Sequence, residues 1–466
     1  MNLHTDTRKL KTGDVLFLEE KVEQFFNESI LQKCSKVYVK QGFIEKHPKF
    51  KNVKHIIAVD NFEEFVFDSF EKHYEIPKNI IAITGTNGKT STAWLSFNLL
   101  TNLNKNACYI GTIGVYYSHQ GAIDFYGELA NTTPYLAETY HILHELKIKH
   151  DIEYVCIEAS SHGLDQKRFG NIKFDIGMFL NFTQDHLDYH KTMENYLSAK
   201  LKIVNYLKPD GKFLISSQID TLGLKIPKDS ILTITSQNQI KDKKIYLLGK
   251  EYPFHNPNML FVYEKENLLH AVLGVSLLTK IDTEIILHSA KTLKAPKGRL
   301  ERVENTNFII DFAHTPDAIE NVIKSVRAST DKKIVAVFGC GGDRDSSKRP
   351  LMFEAALMAD IVVVTDDNPR TEKPENIRGD VLKNYQNEYC DKTFEKDNIV
   401  KFEVNAKIIF EVLDTRISAI KFVVENFSSD EFIVLICGKG HENYQIIGNQ
   451  KLPFSDFYSV KKFLKT

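Results

Sequence analysis

The chain of 466 residues is long enough for two to four domains of about 100–200 residues each. It is 42% hydrophobic and 26% charged, as soluble globular proteins are, and its 60 basic residues nearly balance 61 acidic ones. This balance argues against a general nucleic-acid surface, and no stretch approaches the roughly 18 apolar residues of a membrane helix. We expect a cytoplasmic protein without nucleic-acid or membrane partners.

The cysteines predict neither a zinc site nor a redox motif, because they are widely spaced and form no CxxC pair. We expect them to be small buried hydrophobic residues in a reducing compartment. They are Cys34, Cys108, Cys156, Cys340, Cys390 and Cys437.

The first half of the chain predicts α/β structure. Residues 1–77 contain short alternating pieces such as KVYVK and HIIAV. After Pro77, NIIAITGTNGKTSTAWLSFNLL predicts a buried strand, a glycine-rich turn and an amphipathic helix. Apolar runs at 154–158 and 175–180 each lead into a polar loop, which indicates a parallel sheet with helices on both faces.

The pattern restarts after LKAPKGRLERV, where Pro296 and Gly298 indicate a domain boundary. KIVAVFGCGGDRD, DIVVVTDDNPR and EFIVLICGKGHE each predict a strand that ends in a polar or glycine-rich loop. Open α/β sheets bind ligands at the carboxyl ends of strands. We therefore predict three domains, over residues 1–77, 78–296 and 297–466, with sites at these loops.

The glycine-rich turn predicts a phosphate site. Its glycines let backbone amides turn towards phosphates, and the helix N-terminus adds positive potential. Lys89 would reach the terminal phosphates and Thr90 would bind magnesium. The loop is a variant, because Ile83 stands where the usual pattern has glycine. The alternative is an ordinary turn between a strand and a helix.

Three further features lie between this turn and residue 200. Glu158 follows a strand and could bind magnesium or begin a capped helix. The polar run of residues 181–190, which contains His186, indicates contact with a metal or phosphate. Lys200, taken alone, fits the exposed surface of a helix. In the last third, Arg344, Arg370 and Glu442 follow predicted strands and suit a zwitterionic ligand; surface salt bridges are the alternative.

Taken in order, these motifs resemble the Mur ligase family, in its UDP-N-acetylmuramoyl-tripeptide synthetase branch. The resemblance covers residues 78–466 and is carried by ITGTNGKTST, NTTP, EASSHGLDQKR, NFTQDHLDYH, YLSAK, KGRLERV, DFAHTPDAI, GCGGDRDSSKRP, DDNPRTE and GKGHENYQ. It implies a small N-terminal UDP-sugar domain, a central P-loop-type ATPase sheet and a C-terminal Rossmann-like domain that binds the amino acid.

The resemblance also implies a reaction. ATP phosphorylates the carboxylate of UDP-N-acetylmuramoyl-L-alanyl-D-glutamate, and an amine attacks the acyl phosphate, with magnesium as cofactor. The sequence DNPR implies that the added amino acid is meso-diaminopimelate, because lysine-adding members generally lack this arginine. The enzyme would be a monomer with small-molecule substrates. The alternatives are an L-lysine-adding ligase, a folylpolyglutamate-type ligase, or a P-loop module that hydrolyses ATP without ligation.

The resemblance assigns roles residue by residue. Lys89, Lys200 and His186 would take part in catalysis. Metal ligands would be Thr90, Glu158, His186 and Lys200, the last as a carbamate (N6-carboxylysine). ATP contacts would be Gly85, Thr86, Asn87, Gly88, Lys89, Thr90, Asn267, Arg299, Asp311 and His314. Contacts to the UDP-linked peptide would be Thr7, Asn131, Thr132, Thr133, Ser160, Gln166 and Arg168. Contacts to diaminopimelate would be Arg344, Asn368, Pro369, Arg370, Gly438 and Glu442.

The N-terminal segment departs from the family pattern. TDTRKLKTGDVLFL looks like the family's nucleotide-holding start, with Thr7 where a serine is usual. The glycine-rich stretch that normally follows is absent, so this domain is shortened.

Overall fold

The structure is a computed structural model that describes residues 1–216, 219, 231–234, 240–241, 244–247, 250–253, 256, 261–390, 392–395 and 398–465. Three main sheets follow one another along the chain, and each contains parallel strands. The predicted α/β fold with N-terminal, central and C-terminal domains is confirmed.

The N-terminal sheet has four parallel strands in chain order. Every residue of DVLFL, its second strand, is buried, because the strand packs on both faces. Leu16 faces the domain's own core, whereas Phe17 packs against Phe70 with ring centroids 5.6 Å apart. The elements are β1 Leu3–His4, β2 Asp14–Leu18, β3 Cys34–Lys40, β4 Ile56–Val59, α1 Glu28–Leu31, α2 Phe43–Lys46 and α3 Phe62–His73.

The central sheet has eight strands, in the order β12-β11-β10-β5-β9-β6-β7-β8, and only β7 and β8 run antiparallel to their neighbours. Its strands are β5 Asn79–Thr84, β6 Ala107–Gly111, β7 Gly114–His119, β8 Ala122–Gly127, β9 Tyr154–Glu158, β10 Phe174–Phe179, β11 Leu207–Ser216 and β12 Ile231–Ile234. Because β5 lies between β9 and β10, the loops that follow these three strands meet at one edge.

Helices and a small sheet complete this domain. The helices are α4 Lys89–Asn102, α5 Leu136–His150, α6 Ser161–Asp165, α7 Leu187–His190, α8 Met193–Leu201, α9 Val262–Thr279 and α10 Thr283–Ser289. A three-stranded antiparallel sheet is formed by β13 Ile240–Lys241, β14 Lys244–Leu247 and β15 Lys250–Pro253.

The C-terminal sheet has the order β16-β17-β23-β18-β19-β22-β21-β20, and its five middle members from β17 to β22 are parallel. The strands are β16 Glu301–Arg302, β17 Phe308–Asp311, β18 Lys333–Phe338, β19 Ile361–Val364, β20 Thr393–Glu395, β21 Ile399–Val404, β22 Lys407–Val412 and β23 Phe432–Cys437, with a hairpin of β24 Tyr444–Ile447 and β25 Gln450–Pro453. The helices are α11 Pro316–Arg327, α12 Lys348–Ala356, α13 Pro374–Val381, α14 Gln386–Cys390, α15 Arg416–Phe427 and α16 Asp456–Phe463.

The predicted burial of the cysteines is confirmed for Cys34, Cys108, Cys156, Cys340 and Cys437, whose thiols are unpaired. The side chain of Cys390 lies outside the described residues. Within the described parts of the chain, no helix has both the length and the apolarity that a bilayer span requires.

A buried polar cluster joins the N-terminal and central domains. Tyr74 Oη accepts a hydrogen bond from Leu3 N at 2.8 Å and lies 2.8 Å from His141 Nε2 on α5. The His141 ring also lies 5.0 Å from that of His4, which is hydrogen-bonded to Asp14. Burial, together with the charge of His4, lowers the pKa of His141 from 6.5 to about 4.

This cluster predicts acid sensitivity. Between about pH 6.5 and 4 the unfolded chain binds a proton at His141 that the folded chain does not, so stability falls as the pH falls. In urea unfolding, His141→Gln is expected to lose less stability than the wild type between pH 7 and 4.5, by about 1–2 kcal/mol after allowance for partial exposure. The exposed His119→Gln is the control, and equal losses in wild type and His141→Gln would refute the explanation.

Candidate functional site

A cavity of about 830 Å³ lies between the central and C-terminal domains. One wall comes from the glycine-rich loop after β5 and the ends of β9 and β10, and the other from residues 311–315 and α11. Tyr263 and Asn321 cross the boundary with a 3.3 Å hydrogen bond. Lys348 Nζ, on α12, lies 3.8 Å from Asp185 Oδ1 in the central domain.

The glycine-rich loop is supported by hydrogen bonds to the segment that follows β10. Gly88 has a φ of 83°, a backbone conformation that favours glycine, and it is the N-cap of α4. Asn87 N donates to Asn181 Oδ1 at 2.8 Å, and Asn181 Nδ2 donates back to Asn87 O at 3.0 Å. Thr86 Oγ1 donates to Thr183 O at 3.1 Å. The polar run after β10 therefore supports the loop, a role that the sequence did not reveal.

Two lysines meet at one carbonyl of this loop. Lys89 Nζ donates to Gly85 O and Thr86 O, both at 2.8 Å, and Lys200 Nζ donates to Gly85 O at 2.7 Å. Lys200 is 1% exposed and packs over the ring of Tyr196, so the interpretation of Lys200 as a surface lysine is wrong. Burial and the charge of Lys89 hold the pKa of Lys200 well below its usual value. Burial also lowers the pKa of Lys89.

Glu158 is fully buried at the cavity floor. Its Oε2 accepts hydrogen bonds from Thr90 Oγ1 and Thr112 Oγ1, each at 3.1 Å, and its Oε1 accepts from Thr112 N at 2.9 Å and from Tyr109 Oη. Ser160, rather than Glu158, caps the following helix α6. Tyr109 and Thr112 were missed by sequence reasoning, because each stands in an apolar or small-residue stretch without a motif.

These oxygen atoms fit a hard cation such as magnesium, since a carboxylate and a hydroxyl lie side by side in the cavity. Across the described residues, no group of three His, Cys, Asp or Glu side chains is assembled as a metal site. A metal there would therefore need further oxygens from substrates, water or a modified Lys200. His186 also lines the cavity, and burial lowers its pKa to about 4.

The structure brings most of the predicted peptide contacts to the cavity. Its wall includes Asn131, Thr132, Ser160 and Arg168. The other three predicted contacts, Thr7, Thr133 and Gln166, are not among the lining residues.

The non-lining residues have other positions. Thr133 lies behind the wall, where its Oγ1 donates to Glu158 O at 2.7 Å. Gln166 Oε1 accepts from Arg168 Nη2 at 2.8 Å and so orients that guanidinium. Thr7 begins a short 3₁₀ helix whose Lys9 pairs with Glu138 of α5 at 2.8 Å.

The predicted nucleotide contacts also reach the cavity, apart from Gly85. Asn267 lies against the loop, because a Cβ added at Gly88 would come within 2.6 Å of its Oδ1. Arg299 packs over the ring of Phe312, and its Nε is buried with no partner among the described atoms. The Asp311 carboxylate accepts from Leu300 N and Ala313 N, at 2.7 and 2.8 Å, so it holds a turn.

The remaining predicted residues form a separate cluster at the carboxyl ends of β18, β19 and β23, outside the cavity lining. Arg370 has a φ of 52°, and its Nη1 donates to Gly342 O at 2.7 Å. Asn368 Nδ2 donates to Glu442 Oε2 at 3.2 Å. Arg344 is exposed nearby.

The arginines around this cluster differ in their partners. Arg349 pairs with Glu372, Arg378 with Asp366 and Arg416 with Asp456, so these three are structural. Neither Arg344 nor Arg370 forms an ion pair with a carboxylate in the described part of the chain. Two guanidinium groups are thus left available to a ligand.

A glycine-rich loop between strand and helix, two lysines and a buried carboxylate are the features of a phosphate-binding α/β protein. The profile of the Mur ligase middle domain matches residues 83–268, and that of the Mur ligase, glutamate ligase domain matches residues 298–440. Solved structures agree. A UDP-N-acetylmuramoyl-L-alanyl-D-glutamate–2,6-diaminopimelate ligase aligns with 100% of this chain and 94% of its own at 27% identity, with a TM-score of 0.65. A MurF ligase from Thermotoga maritima, in complex with ADP, shares the fold at 13% identity, with a TM-score of 0.58 over 100% of this chain and 97% of its own.

Curated relatives extend the match over nearly the whole chain. A Rickettsia conorii protein is 36% identical over 99% of this chain and 95% of its own length. An Aquifex aeolicus protein is 38% identical over 88% of this chain and 83% of its own. Both are named UDP-N-acetylmuramoyl-L-alanyl-D-glutamate–2,6-diaminopimelate ligase. The chain belongs to the Mur ligase family.

The crowding around Glu158 predicts an intolerant glycine. A Cβ at Gly111 would lie 2.1 Å from Glu158 Oε1 and 2.5 Å from Tyr109 Oη, whereas one at Gly127 meets nothing within 4 Å. Gly111→Ala is expected to reduce the free energy of unfolding in urea by about 1–3 kcal/mol, because the buried cluster must shift. Gly127→Ala, also at a strand end, is the matched control. Equal free energies of unfolding for the two variants would contradict this prediction, because they would show that the residues around Glu158 can shift without loss of stability.

Proposed function

We propose that this protein adds meso-diaminopimelate to UDP-N-acetylmuramoyl-L-alanyl-D-glutamate in an ATP-dependent reaction of peptidoglycan precursor synthesis. The observation that carries the proposal is Arg370, a guanidinium held in place by Gly342 O but without a carboxylate partner among the described residues. The names of the curated relatives support the same substrates.

The chemistry begins with the substrate carboxylate, which is a poor acyl donor. Transfer of the γ-phosphoryl group of ATP to one carboxylate oxygen gives an acyl phosphate and ADP. The amine of the amino acid attacks the acyl carbon, a tetrahedral intermediate forms, and inorganic phosphate leaves with that oxygen. Phosphoryl transfer of this kind depends mainly on positioning and charge neutralisation.

The cavity residues suit these steps. Lys89 would neutralise the phosphates of ATP, which would take over the hydrogen bonds that its ammonium now gives to backbone carbonyls. Asn267 and Arg299 border the same space from the two domains and would contact the nucleotide, with His314 at the cavity mouth. Because these contacts come from both domains, ATP would draw the domains together.

Thr90 and Glu158 would hold magnesium, which would neutralise phosphate charge during transfer. A carbamate on Lys200 would supply an anionic oxygen ligand in place of a cation, with His186 nearby. The amine of Lys200 would attack carbon dioxide, form the N–C bond and release one proton. No carboxylate in the described residues pairs with this buried amine, and Lys89 disfavours its charge.

Asn131, Thr132, Ser160 and Arg168 would contact the UDP-linked peptide from the cavity wall. Thr133 and Gln166 would act through them, since each bonds to a wall residue. Thr7 would contact the UDP end.

The second cluster would hold the distal centre of diaminopimelate. Arg370 would bind its carboxylate through two parallel hydrogen bonds, and Arg344 would add a second cation. The distal ammonium would donate hydrogen bonds to Glu442 and to the carbonyl of Gly438, and Asn368 would orient Glu442. Pro369 would restrict the backbone that leads into Arg370. L-lysine lacks the carboxylate and would leave Arg370 unpaired, which favours diaminopimelate.

We place the reaction in the cytoplasm, with a monomeric enzyme. The unpaired buried thiols fit a reducing compartment.

Phosphate release tests the function directly. Release is expected only when ATP, the UDP-linked dipeptide and meso-diaminopimelate are all present. Release from ATP alone would favour an ATP-hydrolysing module, and equal use of L-lysine would favour a lysine-adding ligase. Activity with a folate and glutamate, but not with the UDP-linked dipeptide, would favour a folylpolyglutamate-type ligase.

The carbamate can be tested without relying on activity. Protein equilibrated with ¹³C-labelled bicarbonate is expected to show a carbamate carbon resonance that disappears in Lys200→Ala and persists in Lys191→Ala, an exposed lysine nearby. Ligation by Lys200→Ala should fall on the order of a hundredfold or more. An identical spectrum for Lys200→Ala, or full activity of that variant, would exclude the modification.

Arg370 can be tested through substrate dependence. Arg370→Ala is expected to raise KM for diaminopimelate by about a hundredfold while KM for ATP stays nearly constant, because a charge-assisted pair of hydrogen bonds is lost. Lys373→Ala removes an exposed cation three residues away and should leave both constants unchanged. A parallel rise in both constants for Arg370→Ala would mean that the arginine only maintains the fold.

A further inference from the structure

Lys439 is a fully buried lysine within GKGHE, and sequence patterns assigned no role to it. It follows β23, and its Nζ donates to Asn368 Oδ1 at 3.0 Å and to Glu442 Oε2 at 2.6 Å. Asp367 Oδ1 lies 3.9 Å from the same Nζ atom. Two of the three donor hydrogens of the ammonium are therefore hydrogen-bonded, and Asp367 lies at ion-pair distance.

These contacts fix the orientation of the Asn368 amide. Its Oδ1 accepts from Lys439 and from Ile446 N at 2.8 Å, which leaves Nδ2 to donate to Glu442 at 3.2 Å. Glu442 Oε2 accepts from two donors, and among the described residues Oε1 accepts only from Tyr444 Oη, at 3.3 Å. One carboxylate oxygen is held still while the other retains capacity for a ligand.

Lys439 also sets the charge of the cluster. Asp367 and Glu442 bring two carboxylates together, and the Lys439 ammonium offsets part of that negative charge. Arg370 bonds to Asn368 O at 3.5 Å, so it shares this environment. With Lys439 present, the cluster offers a cation for a carboxylate and a compensated anion for an ammonium, which matches a zwitterionic centre.

We infer that Lys439 is a positioning residue that fixes Asn368 and Glu442 for the distal zwitterionic centre of the incoming diamino acid, and that its charge helps to exclude side chains that carry an ammonium alone. The inference rests on the proposed function. Without Lys439 the uncompensated carboxylates would attract a lone ammonium and Asn368 could rotate. Binding of diaminopimelate would weaken, and discrimination against L-lysine would decrease.

Lys439→Met, which keeps the length but cannot donate, tests this in the full-length enzyme. KM for meso-diaminopimelate is expected to rise about tenfold or more, since buried hydrogen bonds to a charged group are lost. KM for ATP should change less than about twofold, and the preference for diaminopimelate over L-lysine, measured as the ratio of kcat/KM values, should fall about tenfold. A purely structural residue would lower both kcat/KM values together and leave that ratio unchanged.

Lys451→Met is the matched control, because this exposed lysine lies 3.8 Å from the same Tyr444 ring without bonding to Asn368 or Glu442. It should behave as wild type. If circular dichroism shows that Lys439→Met does not fold, Lys439→Gln, which retains an amide donor, is measured instead. Its rise in KM for diaminopimelate and its fall in the preference ratio should have the same direction and be smaller. An unchanged KM for diaminopimelate and an unchanged preference ratio in the folded variant would overturn the inference. Failure of the wild type to ligate diaminopimelate would instead overturn the proposed function.

Discussion

The Nζ atoms of two lysines, the half-buried Lys89 and the buried Lys200, converge on a single carbonyl oxygen, that of Gly85, and the cavity is organised around this convergence. Lys89 and Lys200 lie 2.8 and 2.7 Å from it. Two positive charges this close would be costly in a poorly hydrated site, so the arrangement lowers the pKa of Lys200 and favours anions between or upon the lysines. A triphosphate beside Lys89 and a carbamate on Lys200 would each relieve it. Asn181 supports the loop in this conformation by bonding to both the backbone N–H and the backbone carbonyl of Asn87.

The cluster at the carboxyl ends of β18, β19 and β23 also contains a charged side chain without an oppositely charged partner among the described residues. Most arginines of the C-terminal domain that face its core are paired with carboxylates, but Arg370 is anchored by a carbonyl instead. The two sites are close neighbours, since the loop after β23 contacts both. A Cβ at Gly440 would lie 2.7 Å from Phe312 Cβ on the cavity wall, and Glu442 lies two residues further on.

Sequence patterns predicted the sheets because strand, loop and helix recur with clear apolar periodicity, and they placed the glycine-rich loop between a strand and a helix, as the structure has it. They could not predict what depends on distant contacts. Lys200 looked like a surface residue because its helix is short and mixed, yet tertiary packing buries it against Tyr196. Tyr109 and Thr112 contact Glu158, and Lys439 contacts Asn368, through hydrogen bonds between segments that are distant in the sequence. The strand predicted at residues 175–180 ends one residue earlier, since Leu180 begins the loop that supports the phosphate site.

The central claim is that the cavity activates a substrate carboxylate by phosphorylation. Its most direct test is oxygen transfer, with the carboxylates of the dipeptide's glutamate labelled with ¹⁸O and the released phosphate analysed by mass spectrometry. The account predicts one ¹⁸O atom in each phosphate formed from fully labelled substrate, because the acyl phosphate leaves with a carboxylate oxygen. Phosphate that carries no label while ligation proceeds would contradict it.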